Sequence, residues 1–384
     1  MAALGRHGSD YDVAILGGGL AGLSLAVRLA RQPALRVLVI EPREAYRRDR
    51  TWCCWRIHDH PFGDAVAGRW TQWSVADEAG RAVVRGSGRY PYELIPADRV
   101  YDSARRIMAA APGIDLRLGT SATRVAEYRD HVAIETGEGS VTADFVFDSR
   151  PPVASSGALV QRFLGQEIET ERPCFEPGRA VLMDFAVPQH AGATRFMYVL
   201  PLSPTVALLE DTWFAPAGLA LPDPRAAIRE YLGSRYGGPG YRVLFEEEGA
   251  IPMDPALQAP DTTGRVVPIG SAGGAVKPTS GYAFLAVQRM ADALASDLAA
   301  GRAPAPPRPR TGTAQWMDAV FLTALRDRPE DGPAIFHSLF RRCRPEPLIR
   351  FLNDLASPAD IAEVVAATPK LVMIAAAARV VLKR

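Results

Sequence analysis

Two hydrophobic periods alternate along this chain. Val13-Ala14-Ile15-Leu16 is an apolar run of strand length, and behind it Leu20, Leu23, Val27 and Ala30 recur at helical spacing, so one helix face lies on a sheet. After Pro33, Arg36 to Ile40 reads as a second strand closed by Glu41. Weak alternation from Trp70 to Arg89 predicts a hairpin, and Pro91 to Pro96 is extended. Asp98 is placed to cap a helix that runs to about Ala111 and stops at Pro112-Gly113. Leu116 to Leu118, Ala122 to Tyr128, His131 to Thr136 and Val141 to Asp148 read as short strands. They predict a three-stranded antiparallel meander that returns to the main sheet, with Phe145-Val146-Phe147 as the returning parallel strand and Pro151-Pro152 as its breaker.

Further on, Ala180 to Phe185, Arg195 to Pro201 and Thr205 to Thr212 read as successive strands and Pro224 to Tyr236 as a helix. The expectation is an antiparallel sheet backed by a helix and inserted between two halves of a nucleotide-binding domain. The chain returns through the strand Arg265 to Ile269 and a helix from about Tyr282 to Ala300. Proline-rich Arg302 to Pro309 is a linker, and the remainder is helical. The units are therefore 10–157, the first part of the nucleotide domain, 158–262, the insert, 263–300, the return segment, and 301–384, a helical region.

Composition narrows the classes. The 384 residues are 48% hydrophobic and 23% charged, as in a soluble globular protein. A formal net charge of +1 gives no field for holding nucleic acid. Four cysteines, two of them adjacent (Cys53, Cys54), form neither a disulfide framework nor a metal-ligand spacing, which fits a reducing cytosol. The first ten residues lack the apolar core of a secretory signal, and no run of about 18 apolar residues predicts a spanning helix.

The chemistry begins at Gly17-Gly18-Gly19-Leu20-Ala21-Gly22, between the first strand and its helix. In this G-x-G-x-x-G, Gly17 permits the tight turn, Gly19 lets a pyrophosphate approach the backbone, and Gly22 lets helix pack on strand. The helix N-terminus faces the phosphates with unpaired N–H groups. Glu41, about 20 residues on, is placed to accept the hydroxyls of an adenosine ribose. A second glycine turn, Gly270 to Gly274 and then Pro278-Thr279-Ser280-Gly281, precedes a helix and suits backbone lying against a flat ligand. The stretch Arg47 to Trp55 reads either as a hydrophobic plug with a solvated basic edge or as aromatic faces lining a cavity beside the cofactor. Lys370 to Arg384, apolar with basic ends, suits either a bilayer headgroup boundary or a core helix with snorkelling cations.

Together, Arg50 to Trp55, Asp148-Ser149-Arg150-Pro151, Leu182-Met183-Asp184-Phe185, Leu209-Glu210-Asp211-Thr212 and Pro278 to Tyr282 resemble the lycopene cyclases. The resemblance runs from about Asp10 to the C-terminus. It implies an α/β, Rossmann-like two-domain FAD-binding fold of the aromatic-hydroxylase type, with an inserted antiparallel-sheet substrate domain and a helical C-terminal region. Plant members carry Phe-Leu-Glu-Glu-Thr where this chain has Leu208 to Thr212, so the second acid is shorter by a methylene. Related hydroxylases place an aspartate where this chain has Ser271, and Cys54 is unusual within its motif.

The resemblance further implies FAD, kept reduced by NAD(P)H, held by Gly17, Gly19, Gly22, Glu41, Gly270 and Gly281. Arg99 either reaches the cofactor phosphates, as in two-domain flavoproteins, or is a surface residue. The implied substrate is a lipid-soluble polyene taken from a membrane surface by a cytoplasmic, peripherally bound enzyme. The implied reaction is non-redox: protonation of a terminal alkene of lycopene, attack by an internal alkene, and loss of a ring proton, giving β-ionone ends. An anionic reduced flavin would stabilise the cation by roughly 4 kcal/mol at close range. Glu210 is the expected acid, following the apolar run Val206 to Leu209, which would raise its pKa. The bland reading of Glu210 is an edge-strand carboxylate paired with an arginine. Asp211 is the secondary candidate, although strand alternation turns it to the opposite face. Two rivals use the same fold: an FAD-dependent monooxygenase or prenyl-chain reductase consuming NAD(P)H stoichiometrically, and a non-catalytic polyene carrier.

Overall fold

The computed structural model describes residues 8–151, 158–254, 264–306 and 310–382. The first seven residues of the leader, Pro152, the unit limits at 157 and 262, the end of the linker (307–309), and Lys383 and Arg384 lie outside the described residues.

The chain opens with β1 (Tyr11–Leu16), α1 (Leu20–Leu29) and β2 (Val37–Glu41), then β3 (Thr51–Trp55), β4 (Gly68–Trp70), β5 (Gln72–Ala76), β6 (Ala82–Gly86), β7 (Tyr92–Pro96) and α2 (Ala97–Ala109). β8 (Ile114–Leu118), β9 (Ala122–Glu127), β10 (Val132–Thr136) and β11 (Gly139–Asp148) follow. The first sheet has the order β8-β2-β1-β11-β10-β9, with β17 (Val266–Pro268) on β11. β11 does two jobs. Its first half pairs antiparallel with β10, and from Ala143 onward it runs parallel to β1. The meander is thus β9-β10-β11, while Leu116 to Leu118 belongs to β8, which is parallel to β2. Alternation sends Val13 and Ile15 towards α1, α2 and α4 (Phe284–Ala299), and Ala14 and Leu16 into the core under the meander.

Asp98 does not cap α2. Pro96 holds the N-cap place (φ −63°, ψ 140°), because β7 runs into the helix without a loop, and Asp98 lies in the first turn.

A second seven-stranded sheet follows the order β16-β12-β15-β14-β13-β5-β6. It contains β12 (Leu159–Thr170), β13 (Arg179–Asp184), β14 (Thr194–Pro201), β15 (Val206–Pro216) and β16 (Tyr241–Met253) together with the early hairpin β5–β6. Pairing is antiparallel except where β13 meets β5 in parallel, so the sheet is mixed rather than purely antiparallel. α3 (Pro224–Tyr236), capped by Asp223 and ended by left-handed Gly237, packs on one face. The other face meets the C-terminal helices α5 (Gly312–Asp327), α6 (Gly332–Arg342), α7 (Pro345–Leu352), α8 (Pro358–Ala367) and α9 (Lys370–Leu382). A small sheet, β3-β7-β4, lies at the junction of the two cores. There Cys54 and Trp52 pack with the nucleotide-side core, and Trp55 and Cys53 with the helical one.

Candidate active site

At the first turn the sequence pattern becomes a cradle. Gly17 sits at φ +96°, and a Cβ there would lie 2.4 Å from Ser149 Oγ. That hydroxyl donates to Leu16 O (2.7 Å) and seals the turn. A Cβ on Gly22 would stand 1.9 Å from Gly17 O, the close helix-to-strand approach the motif requires. Above Gly19 nothing lies within 4 Å of an added Cβ, and no side chain caps α1. The open side of the turn therefore offers free helix N–H groups to an anion.

Glu41 is buried at the end of β2. Its carboxylate accepts from Gly18 N (2.6 Å), Arg43 N (2.9 Å) and Arg43 Nε (2.8 Å). Burial pushes its pKa up, but the Arg43 hydrogen bonds and charge and the Gly18 N–H outweigh this and hold it below the usual range. Arg43 also bonds Asp49 and Tyr101 and lies over the Tyr46 and Tyr101 rings. From the sequence, Arg99 either reaches the cofactor phosphates or lies on the surface. Arg99 is exposed on α2, and Arg43, two residues beyond Glu41, is the arginine at the fingerprint. Its signal was the short spacing Glu41-Pro42-Arg43.

The two glycine turns meet: a Cβ on Gly270 (φ +63°) would lie 2.8 Å from Ala21 Cβ. The second turn is anchored from below by buried charges. Lys277 Nζ pairs with Asp354 (2.6 Å) and Asp318 (3.1 Å), Thr279 Oγ1 donates to Asp318 (3.0 Å), and Arg310 donates to Gly274 O (2.9 Å). Such charges persist in a core only when mutually compensated, and here they tie the turn to α5 and to the chain after α7.

From this turn a cavity of about 810 Å³ extends between the second sheet and the C-terminal helices. Its lining includes Ser271, Gly281 and Tyr282 of the second turn, Trp52, Cys53 and Glu210, and Met373, Ile374 and Ala377 of α9. The tryptophan motif is therefore both things read from it, with Trp52 on the cavity and Trp55 in the core. A register shift between Val181 and Asp184 turns both Leu182 and Met183 to the cavity. Asp184 instead anchors α3 through Tyr231 (2.8 Å) and Arg235 (3.1 Å).

Glu210 stands on β15 in a row whose other members are apolar except Thr212, with Leu208 and Phe214 packed on the same side. Its carboxyl opens onto the cavity and accepts from Thr212 Oγ1 (2.5 Å). Enclosure by protein pushes its pKa to about 8, the Thr212 bond opposes that rise, and the charges of Glu247 and Asp211 add to it. Asp211 points the other way, fully buried, pairing with Arg195 (2.8 Å) and accepting from Trp213 Nε1 (2.9 Å). Burial raises its pKa and the Arg195 pair works against that rise. Beside Glu210, Tyr198 on β14 donates to Tyr92 (2.8 Å), which is 3.3 Å from Tyr282 of the second turn. Burial holds these three phenols neutral.

No helix among the described residues is long and apolar enough to cross a membrane; α8 and α9 reach that measure only as a pair bent by 115°. On α9, Leu371 (86%), Ile374 (64%) and Leu382 (85%) are exposed.

The fold is that of the FAD-dependent hydroxylases and reductases. A flavoprotein/dehydrogenase from Cytophaga hutchinsonii superposes with a TM-score of 0.63 at 14% identity, covering 97% of this chain and 99% of that one. Klebsiella pneumoniae HpxO, solved with FAD and uric acid, gives 0.62 at 16% identity, covering 93% and 97%. Within that class the sequence is decisive. The family model described as lycopene cyclase protein matches residues 12–378, and a lycopene beta-cyclase from a Paracoccus species is 31% identical over 304 residues, 74% of this chain and 73% of that protein. The chain belongs to the lycopene cyclase family.

Proposed function

We propose that this enzyme closes the linear ends of lycopene to β-ionone rings, with Glu210 as the proton donor. The observation that carries the reading is a carboxyl pushed to a pKa of about 8 on the wall of an apolar cavity, partnered by a hydroxyl and by no cation among the described residues. Such a group bears its proton at neutral pH. Glu210 delivers that proton to the terminal alkene, leaving a tertiary cation; an internal alkene attacks it, and the Glu210 carboxylate takes up the ring proton then lost, which leaves a cyclohexene and restores the acid. Atoms and electrons balance without an external oxidant. Trp52, Phe196, Phe214 and Phe336 on the cavity wall exclude water and present π faces suited to a transient cation.

FAD fits the residues present: an open approach at Gly19, an uncapped helix N-terminus, an ionised Glu41 and a second glycine turn in contact with α1. Gly17, Gly19, Gly22, Glu41 and Arg43 would hold its nucleotide half, and Gly270 to Gly281 its flavin half. When bound and reduced, it supplies negative charge that favours the cation, with NAD(P)H needed only to keep it reduced. The apolar outer face of α9, at the end of the helix that closes the cavity, supports peripheral docking on a lipid surface from which the polyene enters.

Expression in a lycopene-accumulating bacterium, with pigments separated by chromatography, tests the reading. Cyclic carotenes are expected, with NAD(P)H consumption far below one per ring. A hydroxylated or hydrogenated product formed with one NAD(P)H per turnover would overturn it in favour of a redox enzyme.

A further inference from the structure

A second carboxyl is built into the same sheet. In the β-ladder Gly165 of β12 pairs with Glu210 on one side and with Glu247 of β16 on the other. Residues directly opposite share a face, so the two glutamates flank one glycine across three strands. Two strand spacings place their backbones about 10 Å apart. Glu247 crosses part of that gap: its Cγ and Oε1 lie 3.4 and 3.6 Å from where a Gly165 Cβ would stand. Any larger residue at 165 would fill the space between the carboxyls. The neighbours Glu246 and Glu248 are not placed this way, since Glu246 pairs with Arg225 (2.5 Å) and Glu248 is exposed.

The surroundings of the two groups differ in sign. Glu247, buried on its edge strand, is faced by Thr51 of β3 and by the positive charges of Arg48 and Arg50; burial raises its pKa, and Thr51 and the two arginines work against that rise. Arg48 is also fixed to Glu167 of β12 (2.6 Å). Glu210 is faced by Thr212 on its own strand, by Tyr198 of β14 and by Cys53 of β3, both neutral, and by no cation among the described residues. Two carboxyls in one enclosed site do not both ionise readily, and the charge settles where cations are.

We propose that Glu247 is a positioning residue acting through Glu210: across Gly165 the two carboxyls share one proton, with the charge on Glu247 and the proton on Glu210. This rests on the reading of Glu210 as the acid. It assigns to the polar edge of the sheet the task of keeping that acid loaded at neutral pH.

The test is a pH titration of full-length holoenzyme in two readouts: cyclisation rate, and the infrared band of a protonated carboxyl that is absent in Glu210→Gln. The wild type should lose both through one inflection. In Glu247→Gln that inflection should fall by about one pH unit or more, so that cyclisation is weak at neutral pH and restored in more acidic buffer. Glu247→Asp should return most of the shift. Gly165→Ala, which meets its neighbours at no less than 3.4 Å and should fold, puts an apolar methyl between the pair and should move the inflection the other way, upward, because a less polarisable gap strengthens the repulsion. An unchanged inflection in Glu247→Gln and Gly165→Ala, with the Glu210 band still present, would overturn the role of Glu247 and leave Glu210 as the acid. Cyclisation retained in Glu210→Gln, with no protonated-carboxyl band lost relative to wild type, would instead remove the reading beneath it.

Discussion

The two faces of the second sheet treat adjacent carboxyls in opposite ways. Glu210 faces a cavity, with a threonine hydroxyl as its partner, and keeps its proton. Asp211, one residue on, faces the other side and is held by Arg195 and the Trp213 indole in a closed polar core. Strand alternation alone separates them. Two neighbouring acids in sequence are therefore placed differently: one opens onto the cavity, and the other is tied to Arg195 and Trp213 on the far face.

Substitutions on the two faces should part company. The largest effect on stability is expected from Asp211→Asn, which leaves the buried guanidinium of Arg195 without its anion. Loss of about 3–5 kcal/mol is expected, read as a lower Tm, with cyclisation per folded molecule nearly kept. Abolished turnover with an unchanged Tm would erase the contrast and make Asp211 part of the chemistry.

Glu210→Gln should do the reverse to stability. The folded-state pKa of about 8 lies above the ordinary value of 4.5, so the folded state holds a proton that the unfolded chain has released. Wild-type stability from this group is full below the unfolded pKa and is lost as pH rises towards and through 8. The variant should therefore gain Tm relative to wild type at pH 9, by a stability difference of about 1–3 kcal/mol, and gain little at pH 4. Equal Tm differences at both pH values would contradict a proton-bearing Glu210.

The smallest effect should come from the outer face of α9. Leu371→Ser with Leu382→Ser removes exposed apolar surface and should weaken sedimentation with anionic liposomes several-fold, leaving Tm within about 0.5 kcal/mol of stability. Unchanged liposome binding would move the docking surface elsewhere.

How much of this was legible in the sequence follows from how local each feature is. β1, α1, β2 and Glu41 carry their own motif, and the structure reproduces them within a residue or two. Glu210 was legible because a period of two over a short apolar run orients it. The two longest strands went unread. β16 contains Glu246-Glu247-Glu248, which looks like solvent-exposed chain, and β12 interleaves polar and apolar residues without a sharp pattern. Both are strands because partners far along the chain supply hydrogen bonds and a face to cover, as the hairpin β5–β6 does at the other edge. The anchoring charges under the second glycine turn were hidden for the same reason, since Lys277, Arg310, Asp318 and Asp354 meet only in three dimensions.

The central claim is that Glu210 protonates the polyene. The most direct measurement is ring closure by Glu210→Gln under anaerobic conditions with the flavin reduced beforehand, so that a defect in reduction is bypassed. FAD content and liposome binding should match wild type, while cyclic product falls by about 10²–10⁴-fold, the usual worth of a positioned general acid. Near-normal cyclisation by that variant would contradict the claim and shift the proton donor to another acid on the cavity wall.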